Sequence, residues 1–147
     1  MRSSLRAVLE KKGRQIYSVD PTVTVLQAVE TMNDNHVGAV LVLVDDRLVG
    51  IFTERDILVR VVAEGRDPTK TRVAEVMSCN LAVVGSDTTV DQAMAICTEK
   101  RCRHLPVMEG NEILGVVSSG DLTRWATNKK SDEIEELVRY IRGEYTS

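Results

Sequence analysis

Gly50-Ile51-Phe52-Thr53-Glu54-Arg55-Asp56 and its echo, Gly115-Val116-Val117-Ser118-Ser119-Gly120-Asp121, decide how this sequence is organised. Each runs an apolar strand into a hydroxyl residue at a helix start and places an acid three residues beyond the hydroxyl. A Thr or Ser at the mouth of a helix accepts from open backbone N–H groups or donates to a bound anion. A nearby carboxylate can take hydrogen bonds from the two adjacent hydroxyls of a ribose, as the acid of dinucleotide folds does. The same spacing also satisfies a capping box with Asp in place of Glu or Gln, so capping alone is the competing reading of both acids.

The two stretches lie 65 residues apart, and the same offset carries Val19 to Val84, Thr24 to Thr89, Gln27 to Gln92, Ala28 to Ala93 and Val42 to Val107. Thr24-Val25-Leu26-Gln27 and Thr89-Val90-Asp91-Gln92 are capping boxes. Behind them Val25, Ala28, Val29 and Met32, and then Val90, Ala93, Met94 and Cys97, follow a helical period. Ala39–Val44 is apolar without alternation, which predicts a strand buried on both faces. Asp45-Asp46-Arg47 predicts a hairpin turn into Leu48–Phe52. The chain is thus an internal duplication of a strand-helix-strand-strand-helix unit. One such unit has too little core to stand alone comfortably, and two packed with pseudo-twofold symmetry would share one.

The predicted divisions are an N-terminal helix in 1–14, repeat 1 in 15–65, a linker in 66–79, repeat 2 in 80–127 and a C-terminal helix in 131–143. Ser3 or Ser4 caps the first helix, Leu5, Val8 and Leu9 form its stripe, Lys11 and Lys12 suit its last turn, and Gly13 ends it. Gln15–Val19 is expected as a strand. Thr53 is expected to open a helix with Ile57, Leu58, Val61 and Val62 inward, ending at Gly65. In the C-terminal helix Ile134, Leu137, Val138 and Ile141 make one stripe, with acids early and Arg139 and Arg142 late, in the sense the helix dipole prefers.

Composition excludes several function classes. Hydrophobic residues are 43% of 147, enough for a core, but aromatics are 3% and the net charge is −3. Base stacking on aromatics and a phosphate-backbone footprint are both disfavoured, so no nucleic-acid partner is expected. No apolar run reaches the ~18 residues that span a bilayer, and the acidic polar face of the C-terminal helix argues against a membrane-surface role. Cys79, Cys97 and Cys102 contain no CxxC pair, which fits reduced thiols and a cytoplasmic location. Met1–Arg6 lacks the apolar core of a secretory signal.

With these motifs in hand, the chain resembles a tandem pair of cystathionine-β-synthase (CBS) domains, a Bateman module, of the free-standing type. The resemblance rests on the duplicated β-α-β-β-α order, the Gly-x-x-Thr/Ser-x-x-Asp stretches, Val73-Ala74-Glu75-Val76-Met77 before the second unit, and His104-Leu105-Pro106-Val107. It implies an α/β (α+β) fold and regulatory binding of an adenosine-containing ligand: AMP, ADP, ATP or NAD(H), with S-adenosylmethionine less favoured. It also implies disk-like homodimers and an unknown target protein. By the family pattern the Asp takes the ribose diol, the hydroxyl residue sits near the phosphates, and adenine lies against the first two strands of a unit, in clefts between the repeats. Ser118 and Asp121 are then expected to face Ile16, Tyr17, His36 and Val37. Thr53 and Asp56 are expected to face Leu81, Ala82, Arg103 and His104. Val40-Leu41-Val42 lacks the proline found at Pro106, and Ser119-Gly120 replaces Glu54-Arg55, so the two sites are expected to bind unequally.

Arg101, Arg103 and Arg124 are further phosphate candidates. His36 and His104 have no supporting Cys or carboxylate cluster, so no metal site is expected. No nucleophile–base constellation or Walker-type loop occurs, so no enzyme activity and no catalytic cofactor are expected. The competing functions are a ligand-independent scaffold module and a thiol-based redox regulator acting through Cys102.

Overall fold

The computed structural model describes residues 3–143; Met1 and Arg2, part of the expected N-terminal segment, lie outside them. In chain order the elements are α1 (Leu5–Lys12), β1 (Ser18–Val19), α2 (Val25–Asp34), β2 (Ala39–Val44), β3 (Arg47–Thr53), α3 (Glu54–Asp56), a π-helix (Ile57–Val62), α4 (Val73–Val76), β4 (Val84–Gly85), α5 (Val90–Lys100), β5 (His104–Glu109), β6 (Glu112–Ser118) and α6 (Ser119–Ile141). This is a mixed α/β fold. It divides into two compact units, one of Gln15–Ala82, the other of the chain through Arg14 together with the chain from Val83 onward.

The duplication is exact in register. Each unit holds a three-stranded sheet, β1-β2-β3 or β4-β5-β6. In each, the first strand pairs parallel with the second and the second antiparallel with the third. A parallel neighbour requires a crossover, which α2 and α5 supply. Both reciprocal capping boxes form at Thr24 and Thr89. Both central hairpins slip register at the same place, between Val42 and Leu43 and between Val107 and Met108. Asp45 and Asp46 take φ of 49° and 63°, the left-handed pair that a two-residue hairpin loop demands.

The core of the Gln15–Ala82 unit is Val25, Ala28 and Met32 of α2, Val40, Val42 and Phe52 of the sheet, Val61, and Val73 and Val76 of α4. The stretch expected as a linker therefore contributes two core residues. It also fastens α2, because Val25 N–H donates to Thr71 O at 2.9 Å and Leu26 N–H to Pro68 O at 3.0 Å. In the other unit α1 takes the place that α4 holds here. Leu5, Val8 and Leu9 are fully or almost fully buried. Leu5 N–H donates to Thr88 O and Val90 N–H to Ser3 O. Each helix thus precedes one repeat in sequence and packs into the unit built from the other.

Three expectations are corrected. The strand expected over Gln15–Val19 is regular only at Ser18–Val19. After Asp56 the backbone widens into a π-helix, in which only Val61 is buried and Ile57 half-buried. Leu58 and Val62, expected inward, are 64% and 65% exposed; the wider π turn carries them away from the core that Val61 joins. The C-terminal helix expected over 131–143 is instead the distal part of the single helix α6.

The glycines that open the two hinge stretches are where the exchanged helices press on the sheets. A Cβ on Gly50 would lie 2.7 Å from Met77 Sδ and 3.1 Å from Ser78 O, and one on Gly115 would lie 2.8 Å from Leu9 Cδ2. Gly50→Ala is expected to cost about 1–3 kcal/mol in urea unfolding, because a backbone carbonyl as well as a side chain must move. Gly85→Ala opens onto empty space and is expected to stay within about 0.5 kcal/mol of the parent.

Candidate functional site

Both hinges close in the same way. Thr53 N–H donates to Asp56 Oδ2 at 3.0 Å, and Asp56 N–H returns to Thr53 Oγ1 at 3.2 Å. Ser118 N–H donates to Asp121 Oδ2 at 2.8 Å, and Asp121 N–H returns to Ser118 Oγ at 3.0 Å. The carboxylates are therefore caps, as their spacing allows. Only Oδ2 is spent on the cap. Oδ1 of each acid accepts one side-chain hydrogen bond: Ser78 Oγ–H donates to Asp56 Oδ1 at 2.9 Å, with Arg60 Nε also 3.9 Å from that oxygen, and Arg124 Nη2 donates to Asp121 Oδ1 at 2.6 Å. Each cap thus uses Oδ2, and Oδ1 of each acid is left to a side-chain partner.

The electrostatics of the two hinges differ. Asp56 is buried among neutral donors, with Arg60 Nε 3.9 Å away. The Arg60 guanidinium is drawn off to Met77 O at 2.8 Å. Asp121 carries two close cations. Lys12 Nζ lies 2.5 Å from Oδ2 and also donates to Val116 O at 2.6 Å. Lys12 here does the work that the Ser78 segment does in the other unit, where Ser78 N–H donates to Ile51 O at 2.9 Å. Burial acts to raise the Asp121 carboxyl. The hydrogen bonds from Lys12 and from Ser118, with the Lys12 charge, outweigh it and hold the pKa below the ordinary value of 3.8.

Asp121 also lines a cavity of about 180 Å³ between α1 and α6, together with Val8, Lys11, Lys12, Arg124 and Trp125. Lys11 and Lys129 place their ammonium groups 5.7 and 5.4 Å from the Trp125 ring centroid. The volume is below the ~300–1,000 Å³ of sites for drug-sized ligands, so it suits one charged group rather than a whole nucleotide. In the other unit Met77 takes the place of Leu9 against the glycine of its stretch, which puts Cys79 and Asn80 where Lys11 and Lys12 stand here.

Within the units, the structure places the remaining expected residues as follows. His36 and Arg101, equivalent in the repeat, both take φ of 54° where α2 and α5 end. Val37 N–H donates to Met32 O and Cys102 N–H to Cys97 O, closing both helix ends alike. His104 is paired with Ser118 across β5 and β6, and Arg103 O accepts from Ser119 N–H at 2.8 Å. Ile16, Tyr17, Leu81 and Ala82 are half-buried in the Gln15–Ala82 unit. Ser118 and Asp121 belong to one unit and Ile16, Tyr17, His36 and Val37 to the other. Thr53, Asp56, Leu81 and Ala82 share a unit; Arg103 and His104 do not belong to it. Sequence reasoning missed Lys12 and Ser78 as partners of the acids. Lys12 lies 109 residues from Asp121, and no local pattern couples them. Among the described residues no cluster of three or more His, Cys, Asp or Glu is placed to hold a metal, and no helix is long and apolar enough to cross a membrane.

Because the folded pKa of Asp121 is depressed, its contribution to stability is complete above 3.8 and is lost as pH falls through the lower folded value. Lys12→Met is expected to raise the Asp121 pKa, read by carboxyl ¹³C NMR titration. It is also expected to lower neutral-pH stability by about 1 kcal/mol, a modest figure because the Lys12 side chain is partly exposed. The stability gap between variant and parent should close as pH falls below the folded pKa.

The CBS domain family matches residues 12–63 and 73–128. The chain is 33% identical over 129 residues to the CBS domain-containing protein YhcV of Bacillus subtilis, covering 88% of this chain and 89% of that protein. It is 36% identical over 127 residues to the mitochondrial CBS domain-containing protein CBSX3 of Arabidopsis thaliana, covering 83% of this chain and 62% of the plant protein. The solved structure of a Burkholderia ambifaria protein, provisionally assigned to signal transduction and bearing CBS domains, superposes with a TM-score of 0.81 at 36% identity, over 84% of this chain and 93% of that one. With two matched repeats, two duplicated sheets and a capped acid at each hinge, this chain belongs to the CBS-domain family as a tandem pair.

Proposed function

We propose that this CBS pair is a regulatory module that binds adenosine-containing ligands and passes the bound state to a target protein in the cytoplasm. It acts by binding, not by catalysis. Asp56 and Asp121 accept the ribose diol, Thr53 and Ser118 lie near the phosphates, and adenine packs on residues such as Ile16, Tyr17, Leu81 and Ala82, as the family pattern implies. The observation that carries the reading is the division of labour within each carboxylate: Oδ2 is committed to the cap, while Oδ1 accepts one hydrogen bond from a displaceable side chain. A ligand shifts such a module only through different affinity for its conformations.

The two sites are proposed to differ in the ligand they favour. Lys11, Lys12 and Arg124 beside Asp121 suit a ligand with several phosphate charges, such as ATP. The single Arg60 charge near Asp56, drawn off to Met77 O, suits a ligand with fewer charges, such as AMP or NAD. Burial, with Cys102 beside it, pushes the Cys97 thiol up to about 11, so Cys97 itself stays protonated at neutral pH; the redox alternative through Cys102 is separate from this.

A thermal-shift screen with AMP, ADP, ATP, NAD, NADH and S-adenosylmethionine, on protein freed of carried-over nucleotide, tests the function. A ligand at 100 times its Kd adds about 2.7 kcal/mol, a rise of roughly 5–10 °C for a chain of this size. Asp56→Ala should abolish the shift at one site and Asp121→Ala at the other. Each is judged by its ligand-induced shift, since losing a cap lowers the starting midpoint as well. No shift with any ligand would favour the ligand-independent scaffold.

A further inference from the structure

Two helix faces meet at the cavity beside Asp121. From α1 come Val8, Lys11 and Lys12, at i, i+3 and i+4; from α6 come Asp121, Arg124, Trp125 and Asn128, at i, i+3, i+4 and i+7. Facing helix stripes are ordinarily apolar, and these carry three cations against one acid. Lys12 and Arg124 already occupy the two oxygens of that acid. Lys11 is left over the Trp125 ring, and Lys129 sits over the same ring. Like charges gathered between packed helices repel one another unless an anion joins them. Trp125 adds a second observation: its Nε1–H is buried without an acceptor among the described residues, a state that folded proteins rarely leave in place.

We propose that this cavity is a seat for one phosphate group, held by Lys11, Lys12 and Arg124 and joining α1 to α6. The surplus of two positive charges on its walls matches a phosphate dianion. Asn128 adds an amide donor, and an oxyanion beside the indole would offer Trp125 Nε1–H an acceptor. The setting belongs to one unit alone. Ser118 and Asp121 recur at the other hinge as Thr53 and Asp56, but Arg124, Trp125 and Asn128 fall opposite Val59, Arg60 and Ala63 in the repeat. The lining reaches Asn128, two turns of α6 and about 10 Å past Asp121. The proposal rests on the reading of this unit as the one suited to phosphate-rich ligands, and it does not need the ribose contact.

Trp125 is the chain's single tryptophan, so its emission reports on this cavity directly. Inorganic phosphate and ATP are titrated separately into the full chain at constant ionic strength, with far-ultraviolet circular dichroism to verify folding. Inorganic phosphate is expected to change the emission saturably, and chloride at the same ionic strength is not. Lys11→Gln and Arg124→Gln should each weaken the response at least roughly tenfold, through the loss of one charge-assisted hydrogen bond. Lys70→Gln, in the other unit, should leave it unchanged. A response to ATP but not to inorganic phosphate, lost in Lys11→Gln while AMP still binds by calorimetry, supports the seat as one for the terminal phosphate of a bound nucleotide. Flat emission with both, a response that survives both variants, or variants that lose AMP binding as well would overturn the proposal. Equal affinity for nucleotides and their dideoxy forms would sink the ribose reading and leave this one standing.

Discussion

The reciprocal hydrogen bonds between a hydroxyl residue and the acid three positions later hold each unit's last strand to the helix that follows it. A helix start leaves backbone N–H groups without partners. At Thr53 and Ser118 the side-chain oxygen takes one of these and the acid takes the N–H of the cap residue itself. The chain can then leave the sheet and turn into a helix at once, with no intervening loop. This geometry fixes where each carboxylate sits, and everything proposed about ligand binding depends on that position. A cap of this kind is worth about 0.5–2 kcal/mol, so it stabilises the hinge without making it immovable.

The duplication supplies an internal comparison. The same backbone, register slip and cap occur twice, while the side chains around the acids have diverged. One carboxylate rests on a neutral hydroxyl from Ser78, the other on Lys12 and Arg124. These partners come from the segments that the repeats exchange, α4 with its following residues in one unit and α1 in the other. Exchange of the helices therefore tunes each site through a residue remote from the hinge in sequence. The glycine at the start of each hinge stretch belongs to the same arrangement, since it lets the exchanged helix approach the sheet closely.

Much of this was legible in the sequence because its signals are local. The capping boxes at Thr24 and Thr89, the Asp45-Asp46 turn and the stripe of Leu5, Val8 and Leu9 each depend on residues within one or two turns of each other, and each is found as read. The offset of 65 residues revealed the repeat and hence the fold. The exchange of α1 and α4 was not legible, because a helix stripe announces that it packs but not against which unit. Lys12 had a sufficient local explanation in the helix dipole, which hid its contact with Asp121. At Leu58 and Val62 the apolar period was taken for a core face, and the π-helix turns those two side chains to solvent. The acids themselves were readable as cap or as ligand-binding group, and the structure shows both as caps through Oδ2.

The central claim is that these carboxylates recognise a ribose diol, and the most direct measurement is calorimetric titration of the parent with AMP and ATP and with their 2′,3′-dideoxy analogues. A charged hydrogen bond is worth roughly 1.5–3 kcal/mol. The account therefore predicts that removing both hydroxyls weakens binding at least roughly tenfold, while base and phosphates are unchanged. Equal affinity for a nucleotide and its dideoxy analogue would contradict it, leaving Asp56 and Asp121 as caps alone.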